Sequence, residues 1–285
     1  MRKKLALMSL VSLVACADGG ATETTEDTDA LVEDPGWLST LVPPGEVPSG
    51  GCPAFEAGWN EITSADPPRR FIVSRPDQIA PGAPVVFAWH GMGDNPSSFT
   101  NALGLPALAR QWGAVIIAPE SATTTLLPWG ADLDLALFDD VRACLAEEQE
   151  ADMEAVSTMG FSAGALWSSE LLLQRSDRLA TAFIMSGGLL VEYETPAVPT
   201  PVFMSEGGDS DVVAVVRFKE TTEALAGELV ADEHFVVVCS HTQGHTPPPG
   251  FTDLINAWIP AHSYGRHSPF EEDLSGLSDI CRKFE

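Results

Sequence analysis

Six short apolar runs, separated by stretches with helical periodicity, limit the possible folds of this chain more than any other feature. Each run is continuously apolar, which is typical of strands covered on both faces. Strands that alternate with helices predict an α/β fold in which crossover connections set the strands parallel. The runs are VVFAW (85–89), AVIIA (114–118), VSTM (156–159), TAFIM (181–185), VFM (202–204) and FVVVC (235–239).

Two further stretches refine this prediction. Residues 59–76, WNEITSADPPRRFIVSRP, are typical of an antiparallel hairpin that turns at ADPP, residues 65–68. The helical stretch at 97–113 contains Pro106, which is expected to kink or divide it, with Ser97 or Ser98 as its cap. We therefore expect a mostly parallel central sheet with helices on both faces and an antiparallel N-terminal hairpin at its edge.

Ser162 is the candidate nucleophile. It lies between two glycines in GFSAG, residues 160–164, after an apolar run and before a helical stretch. That context is the one that a nucleophile elbow requires, since the glycines leave room where neighbouring turns come close. The other interpretation is an ordinary glycine-rich loop. A serine hydroxyl also needs a base within hydrogen-bond reach and a group that orients the base.

The candidate acid and base follow later strands, in the chain order serine, aspartate, histidine. The segment SEGGDSDVV after the fifth run carries Asp209 and Asp211, and SHTQGHTPPPG after the sixth carries His241 and His245. We favour His245, because it follows a glycine and precedes a proline run that can fix its loop. We favour Asp211, because the next two valines can pack the loop down and turn the carboxylate inward.

Backbone N–H groups near the elbow are candidates for an oxyanion hole. One is that of Ala163, directly after the nucleophile. The other belongs to the loop HGMGDNPSSF after the first run, where Met92 is the first candidate and Gly91 the second. The other interpretation of this loop is a glycine turn after a buried strand.

The strings WHGMGDN, GFSAG, GGDSDVV and CSHTQGH, in this order and spacing, resemble the α/β-hydrolase superfamily. Within it they are most similar to secreted polyhydroxybutyrate depolymerase-like, feruloyl and acetylxylan esterases. The resemblance covers about residues 50–285. It implies the α/β-hydrolase fold and a serine hydrolase that cleaves carboxylic esters through an acyl-enzyme. No cofactor or metal ion is expected, and the ester itself is not named.

The substrate site has few markers in the sequence. Only about fifteen residues separate MSGG from PVFM, so no large lid is expected there. Trp129 is the candidate substrate-binding residue, as part of an acyl pocket, although tryptophans more often serve packing.

The N-terminus is typical of an export signal. A basic start, MRKK, precedes a short apolar stretch that ends in LVAC, which resembles the lipobox of bacterial lipoproteins. We expect a signal peptide over 1–15, acylation of Cys16 and an acidic, disordered tether over 16–49. The catalytic domain would then cover 50–285. Ordinary signal-peptidase cleavage with a free secreted product is the alternative.

The net charge of the chain limits its possible binding partners, and its cysteines bear on the cellular compartment. The chain has 15 Lys and Arg against 41 Asp and Glu, a net charge of −26. Such a surface repels nucleic acid and anionic lipid, so membrane contact is expected only through the anchor. In an extracytoplasmic compartment the remaining cysteines favour disulfides, with three possible pairings. They are Cys52, Cys144, Cys239 and Cys281.

Three other functions compete with an esterase. A binding lipoprotein could keep the fold without catalysis, although it would not need the full serine, aspartate and histidine set. A serine peptidase could use the same triad. HTQGH, residues 241–245, has the histidine spacing of zinc peptidases, but Thr242 stands at the position of their general base.

Overall fold

The computed structural model describes residues 41–63 and 68–285, and its strands and helices alternate as the sequence predicts. The strands are β1 Gly58–Ile62, β2 Arg69–Ser74, β3 Val85–Trp89, β4 Val115–Pro119, β5 Val156–Phe161, β6 Thr181–Met185, β7 Val202–Glu206, β8 Val212–Val213, β9 Val216–Arg217, β10 Val236–Ser240 and β11 Cys281–Lys283. The helices are α1 Pro96–Ala102, α2 Leu105–Trp112, α3 Ala131–Gln149, α4 Ala163–Arg175, α5 Phe218–Ala231 and α6 Phe251–Trp258.

Nine of these strands form one sheet in the order β1-β2-β4-β3-β5-β6-β7-β10-β11. The six central strands, from β4 to β10, are parallel to one another. The predicted hairpin β1–β2 pairs antiparallel at one edge and joins β4 antiparallel. The predicted sheet is confirmed. Strand β11 was not predicted from the sequence, and it pairs antiparallel with β10 at the opposite edge.

Helices cover both faces of the sheet, because successive side chains of the buried strands point to opposite sides. Phe87 of β3 belongs to a core with α3, α4 and α5, whereas the adjacent Val86 and Ala88 belong to a second core with α1, α2 and α6. All five residues of β3 are fully buried. This two-sided burial explains why the parallel strands are continuously apolar.

The helical stretch after β3 divides at Gly104, two residues before the proline that was expected to divide it. Gly104 has φ +67, a conformation that suits glycine, and Pro106 lies in the first turn of α2, where its missing N–H costs no helical bond. Asn95, not Ser97 or Ser98, caps α1, and its side chain accepts from the Ser98 N–H at 3.0 Å.

Two disulfides join the four cysteines of the described chain. Cys52 pairs with Cys144 of α3 across 92 residues, and Cys239 of β10 pairs with Cys281 of β11 across 42. Loops of this length correspond to roughly 4–5 kcal/mol of stabilisation each in the chain-entropy model. The first bridge ties the segment before β1 to the helical layer, and the second fixes the edge strand β11.

The predicted signal peptide, Cys16 and most of the predicted tether lie outside the described residues, as does most of the turn at 65–68. The described chain begins at residue 41, and Val42 already contacts the folded domain. Its N–H donates to the Asp177 carbonyl at 3.0 Å, and Arg142 donates to its carbonyl at 2.7 Å. Across the described segments, we find no helix with the length and hydrophobicity of a membrane span.

Candidate active site

The turn from β5 into α4 presents Ser162 in a strained conformation, φ 58° and ψ −123°. Close packing of the backbone makes this turn possible. A Cβ at Gly160 would lie 2.2 Å from the Gly164 carbonyl oxygen, and a Cβ at Gly164 would lie 2.0 Å from the Trp89 carbonyl oxygen. No side chain fits at either position, so both glycines are required by the elbow that the sequence predicts.

Ser162 and His245 are brought into direct contact, although 83 residues separate them. The distance from Ser162 Oγ to His245 Nε2 is 2.9 Å. His245 Nδ1 lies 2.7 Å from Asp211 Oδ1. A carboxylate can only accept, so Nδ1 carries the proton and Nε2 accepts from the serine hydroxyl.

Asp211 is fixed by hydrogen bonds on both carboxylate oxygens. Its Oδ2 accepts from the Gly207 N–H and from Ser186 Oγ, each at 2.8 Å, while Oδ1 faces His245. Burial alone would raise the pKa of this carboxyl. The hydrogen bonds from His245, Gly207 and Ser186 outweigh burial and hold the pKa below its ordinary value. Asp211 is therefore ionised when His245 takes up a proton.

Two aromatic rings flank the imidazole of His245. The ring centre of Phe161 lies 4.8 Å from it and that of Phe218 lies 4.6 Å from it. These contacts restrict the ring to the plane in which it reaches both neighbours. Neither phenylalanine was singled out in the sequence, although Phe161 directly precedes the nucleophile.

Ser186 is another residue that sequence reasoning missed. It follows β6, is fully buried and has a positive φ of 48°. Its N–H donates to the Ser205 carbonyl of β7 at 2.8 Å, and its hydroxyl donates to Asp211 Oδ2 at 2.8 Å. The only signal in the sequence was its position at the carboxyl end of an apolar run, the edge where sites of α/β sheets lie.

The loop after β3 lies directly against the nucleophile. A Cβ at Gly91 would come within 3.3 Å of Ser162 Cβ, so the backbone of this loop borders the reacting hydroxyl. His90 Nδ1 donates to the Gly91 carbonyl at 2.9 Å, and burial lowers the pKa of His90, which favours the neutral ring. Trp129 Nε1 donates to the His90 carbonyl at 2.9 Å.

Two backbone N–H groups at this position are without an internal acceptor. Ala163 is the first residue of α4, so its N–H has no partner within the helix. Among the described residues, neither its N–H nor that of Met92 donates to another protein group. Free donors directly after Ser162 and in the adjoining loop are what an oxyanion would need.

A crevice of about 320 Å³ opens at Ser162, and we refer to it as the Ser162 crevice. Its walls come from four loops and from the starts of α4 and α5. They consist of Met92, Leu126, Leu127, Ser162, Ala163, Leu166, Leu190, Val213–Val216 and Phe218.

Trp129 lies in the wall of a smaller neighbouring cavity of about 70 Å³. Leu127, Ala163, Leu166 and Leu190 border both spaces, so the smaller cavity adjoins the Ser162 crevice. Trp129 is 8% exposed, and its indole N–H donates to the His90 carbonyl in the loop after β3.

The alternative acid and base have different surroundings. Asp209 is exposed, in contrast to the buried Asp211. His241 is buried, its Nδ1 accepts from the Gln243 N–H at 3.2 Å, and burial lowers its pKa. The HTQGH segment is a loop rather than a helix, so His241 and His245 do not share a helical face as in zinc peptidases.

The structure resembles that of native sOPH with a TM-score of 0.69 and 19% sequence identity. The match covers 84% of this chain and 96% of that chain. The sheet order, the helices on both faces and the strained serine between β5 and α4 are those of the α/β-hydrolase fold. The chain therefore has the α/β-hydrolase fold.

Two curated proteins resemble it in sequence. One is the bifunctional acetylxylan esterase/xylanase of Neocallimastix patriciarum, 24% identical over 143 residues, which are 50% of this chain and 21% of that protein. The other is feruloyl esterase D of Neurospora crassa, 23% identical over 190 residues, which are 61% of this chain and 65% of that protein. The chain thus spans less than two thirds of either relative. No protein-family model matches it.

Proposed function

We propose that this protein is a serine esterase that hydrolyses carboxylic esters through an acyl-enzyme. The contact of 2.9 Å between Ser162 Oγ and His245 Nε2, with Asp211 on the opposite nitrogen, is the observation that carries the proposal. Both curated relatives are named as esterases, which supports the same reaction class. Polyhydroxyalkanoate, feruloyl and acetyl esters are the candidate substrates.

In the first half-reaction, His245 Nε2 takes the hydroxyl proton as Ser162 Oγ attacks the ester carbonyl carbon. The carbonyl oxygen becomes an oxyanion, and we assign its stabilisation to the Ala163 N–H and an N–H of the 91–92 segment. Asp211 stabilises the imidazolium through Nδ1. The tetrahedral intermediate collapses, the alcohol leaves with the proton from Nε2, and the acyl group stays on Oγ.

In the second half-reaction, water takes the position of the alcohol. His245 Nε2 removes a proton from it, the water oxygen attacks the acyl carbon, and a second oxyanion forms at the same donors. Its collapse breaks the bond to Oγ, returns the proton to Ser162 and releases the carboxylic acid. The triad is then restored without any cofactor.

A panel of esters tests the proposal. It contains short nitrophenyl esters, an aryl ester, an acetylated sugar and a hydroxyalkanoate oligomer, with peptides as a comparison. We expect hydrolysis of at least one ester and none of the peptides. Ser162→Ala is expected to remain folded, by circular dichroism, and to lose at least 1,000-fold in rate. Equal rates in both proteins, or turnover of peptides alone, would contradict the proposal.

We also propose that the enzyme works outside the cytoplasm, anchored through an acylated Cys16. The two disulfides support an oxidising compartment. Mass spectrometry of the mature N-terminus from a bacterial host tests the anchor. We expect a diacylglyceryl-modified Cys16 in the membrane fraction and release of a Cys16→Ala variant. An unmodified N-terminus in the soluble fraction would contradict it.

A further inference from the structure

The walls of the Ser162 crevice come from loops on opposite sides of the nucleophile. In the sheet order β4-β3-β5-β6-β7, the nucleophile follows β5, and β4 and β7 lie two strands away on either side. The loop after β4 carries Leu126 and Leu127, and the hairpin β8–β9 after β7 carries Val213 to Val216. Any group bound next to Ser162 therefore lies between these two walls.

Both walls expose apolar side chains to solvent. Val215, at the tip of the hairpin, is 92% exposed, and Leu126 is 67% exposed. Nine large apolar residues of the described chain are exposed, and five of them line this one crevice. Single exposed apolar residues are ordinary, but such a concentration around a candidate nucleophile marks a binding surface. The five are Met92, Leu126, Leu127, Leu190 and Val215.

The lining contains almost no hydrogen-bonding side chain. Among the described residues of the lining, Ser162 alone has a hydroxyl, amide or charged side chain, and Phe218 alone is aromatic. Phe218 packs on His245 and is buried, so it offers no free face for a sugar ring. Hydroxyl groups of a carbohydrate placed here would lose water without gaining partners.

We propose that the Ser162 crevice selects uncharged aliphatic esters, and that Val215 and Leu126 determine this specificity. The inference rests on the proposed esterase function and narrows its substrate class. The alkyl chain of the ester lies between the hairpin and the loop after β4, where each methylene leaves water. Acetylated or feruloylated sugars fit this lining poorly, despite the names of the curated relatives. The net charge of −26 further disfavours anionic esters.

Chain-length series test the proposal with the purified protein. One series is the nitrophenyl acetate, butyrate and hexanoate, and a second is the acetates of ethanol, butanol and hexanol. We expect kcat/KM to rise about two- to fourfold per methylene in at least one series. An acetylated xylo-oligosaccharide is expected to be a poorer substrate than the best alkyl ester. No rise in either series, or a preference for the sugar ester, would overturn the proposal.

Substitutions test whether the two apolar walls of the Ser162 crevice determine this chain-length specificity. For a Val215→Asp and Leu126→Asp double variant, we compare kcat/KM for the longest ester with kcat/KM for the shortest ester of the series that shows the rise. We expect this ratio to fall about tenfold relative to wild type. Val47→Asp is the matched control, because Val47 is 39% exposed and lies outside the crevice lining, so its ratio should equal the wild-type ratio. An unchanged ratio in the double variant would overturn the role of the walls.

Failure of the inference differs from failure of the proposed function. If acetates are hydrolysed in a Ser162-dependent manner without any effect of chain length, the esterase function is supported and the aliphatic specificity is contradicted. If neither these series nor any other ester of the panel is hydrolysed, both the specificity and the proposed function are contradicted.

Discussion

At the scale of single residues, the two aspartates after β7 have different surroundings and should respond differently to substitution. Asp211 is buried and accepts from His245, Gly207 and Ser186, whereas Asp209 is exposed. We expect Asp211→Asn to lower kcat by about 10,000-fold, because the amide favours the wrong tautomer of His245. Asp209→Asn, with the same chemical change, should stay within about twofold of wild type. An equal loss in both variants, measured by ester hydrolysis, would contradict these assignments.

Trp129 offers a second test, because its hydrogen bond suggests a different role from an acyl pocket. Its indole N–H holds the His90 carbonyl, one residue before the Gly91–Met92 backbone that borders Ser162. We expect Trp129→Phe, which keeps the ring but removes the donor, to lower kcat about five- to tenfold with little change in KM. Steady-state kinetics separate the two roles. A raised KM with unchanged kcat would instead favour direct contact with the substrate.

Residues with a local signal were predicted from the sequence, and those without one were missed. Ser162 has its glycines, and Asp211 and His245 follow strands at the expected edge of the sheet. Ser186 has no such pattern, because its role depends on the pairing of β6 with β7. The sequence of neither strand alone predicts that pairing. Phe218, which packs on His245, likewise has no local pattern that marks it as part of the site.

At the scale of elements, the elbow between β5 and α4 depends on close backbone packing, and this predicts the effect of adding one methyl group. A Cβ at Gly164 would lie 2.0 Å from the Trp89 carbonyl oxygen, whereas a Cβ at Gly227 in α5 has nothing within 4 Å. We expect Gly164→Ala to destabilise the fold by about 2–3 kcal/mol or more and to abolish activity. Gly227→Ala should stabilise the protein by about 0.5–1 kcal/mol.

Urea denaturation of both glycine variants measures this difference. Each substitution adds the same methyl group to a helix, so only the space around it differs. Equal free energies of unfolding for the two variants would show that the elbow tolerates a side chain, contrary to the packing around Gly164.

The main strands and helices could be predicted because their apolar periodicity is long and regular. The short hairpin β8–β9 has only two residues in each strand, too few for a periodic signal. The edge strand β11 has three residues and depends on pairing with β10 and on a disulfide to it. Contacts between distant segments define these small elements, and a pattern read along the chain does not report such contacts.

At the scale of the whole molecule, two buried histidines make stability depend on pH. Burial lowers the pKa of His234 and that of His262 from 6.5 to about 4, although each also has a hydrogen bond to a backbone carbonyl. Below pH 6.5 the unfolded chain takes up protons that the folded chain does not bind until about pH 4. Their contribution is complete above pH 6.5 and is lost as the pH falls toward 4.

We therefore expect the free energy of unfolding to decrease by about 2 kcal/mol per histidine between pH 7.5 and pH 5. Urea denaturation at both values measures it, and His234→Gln should remove about half of the dependence. The acidic surface works in the opposite direction, since its self-repulsion weakens as the pH approaches the pI of 4.3. A His234→Gln variant whose free energy of unfolding changes between pH 7.5 and pH 5 by the same amount as that of the wild type would contradict the role of this histidine.

The most direct test of the central claim is covalent labelling of the folded protein with a fluorophosphonate, followed by intact mass and peptide mapping. We predict one adduct per chain on Ser162, because the proposed base His245 lies 2.9 Å from its hydroxyl and has Asp211 on its other nitrogen. Ser268 also contacts a histidine, His262, but it is buried, and Nδ1 of that histidine faces the Trp258 carbonyl instead of a carboxylate. Ser162→Ala should remain unlabelled under the same conditions. A folded, soluble wild-type protein that takes up no probe, or takes it up at another residue, would contradict the claim that Ser162 is the nucleophile.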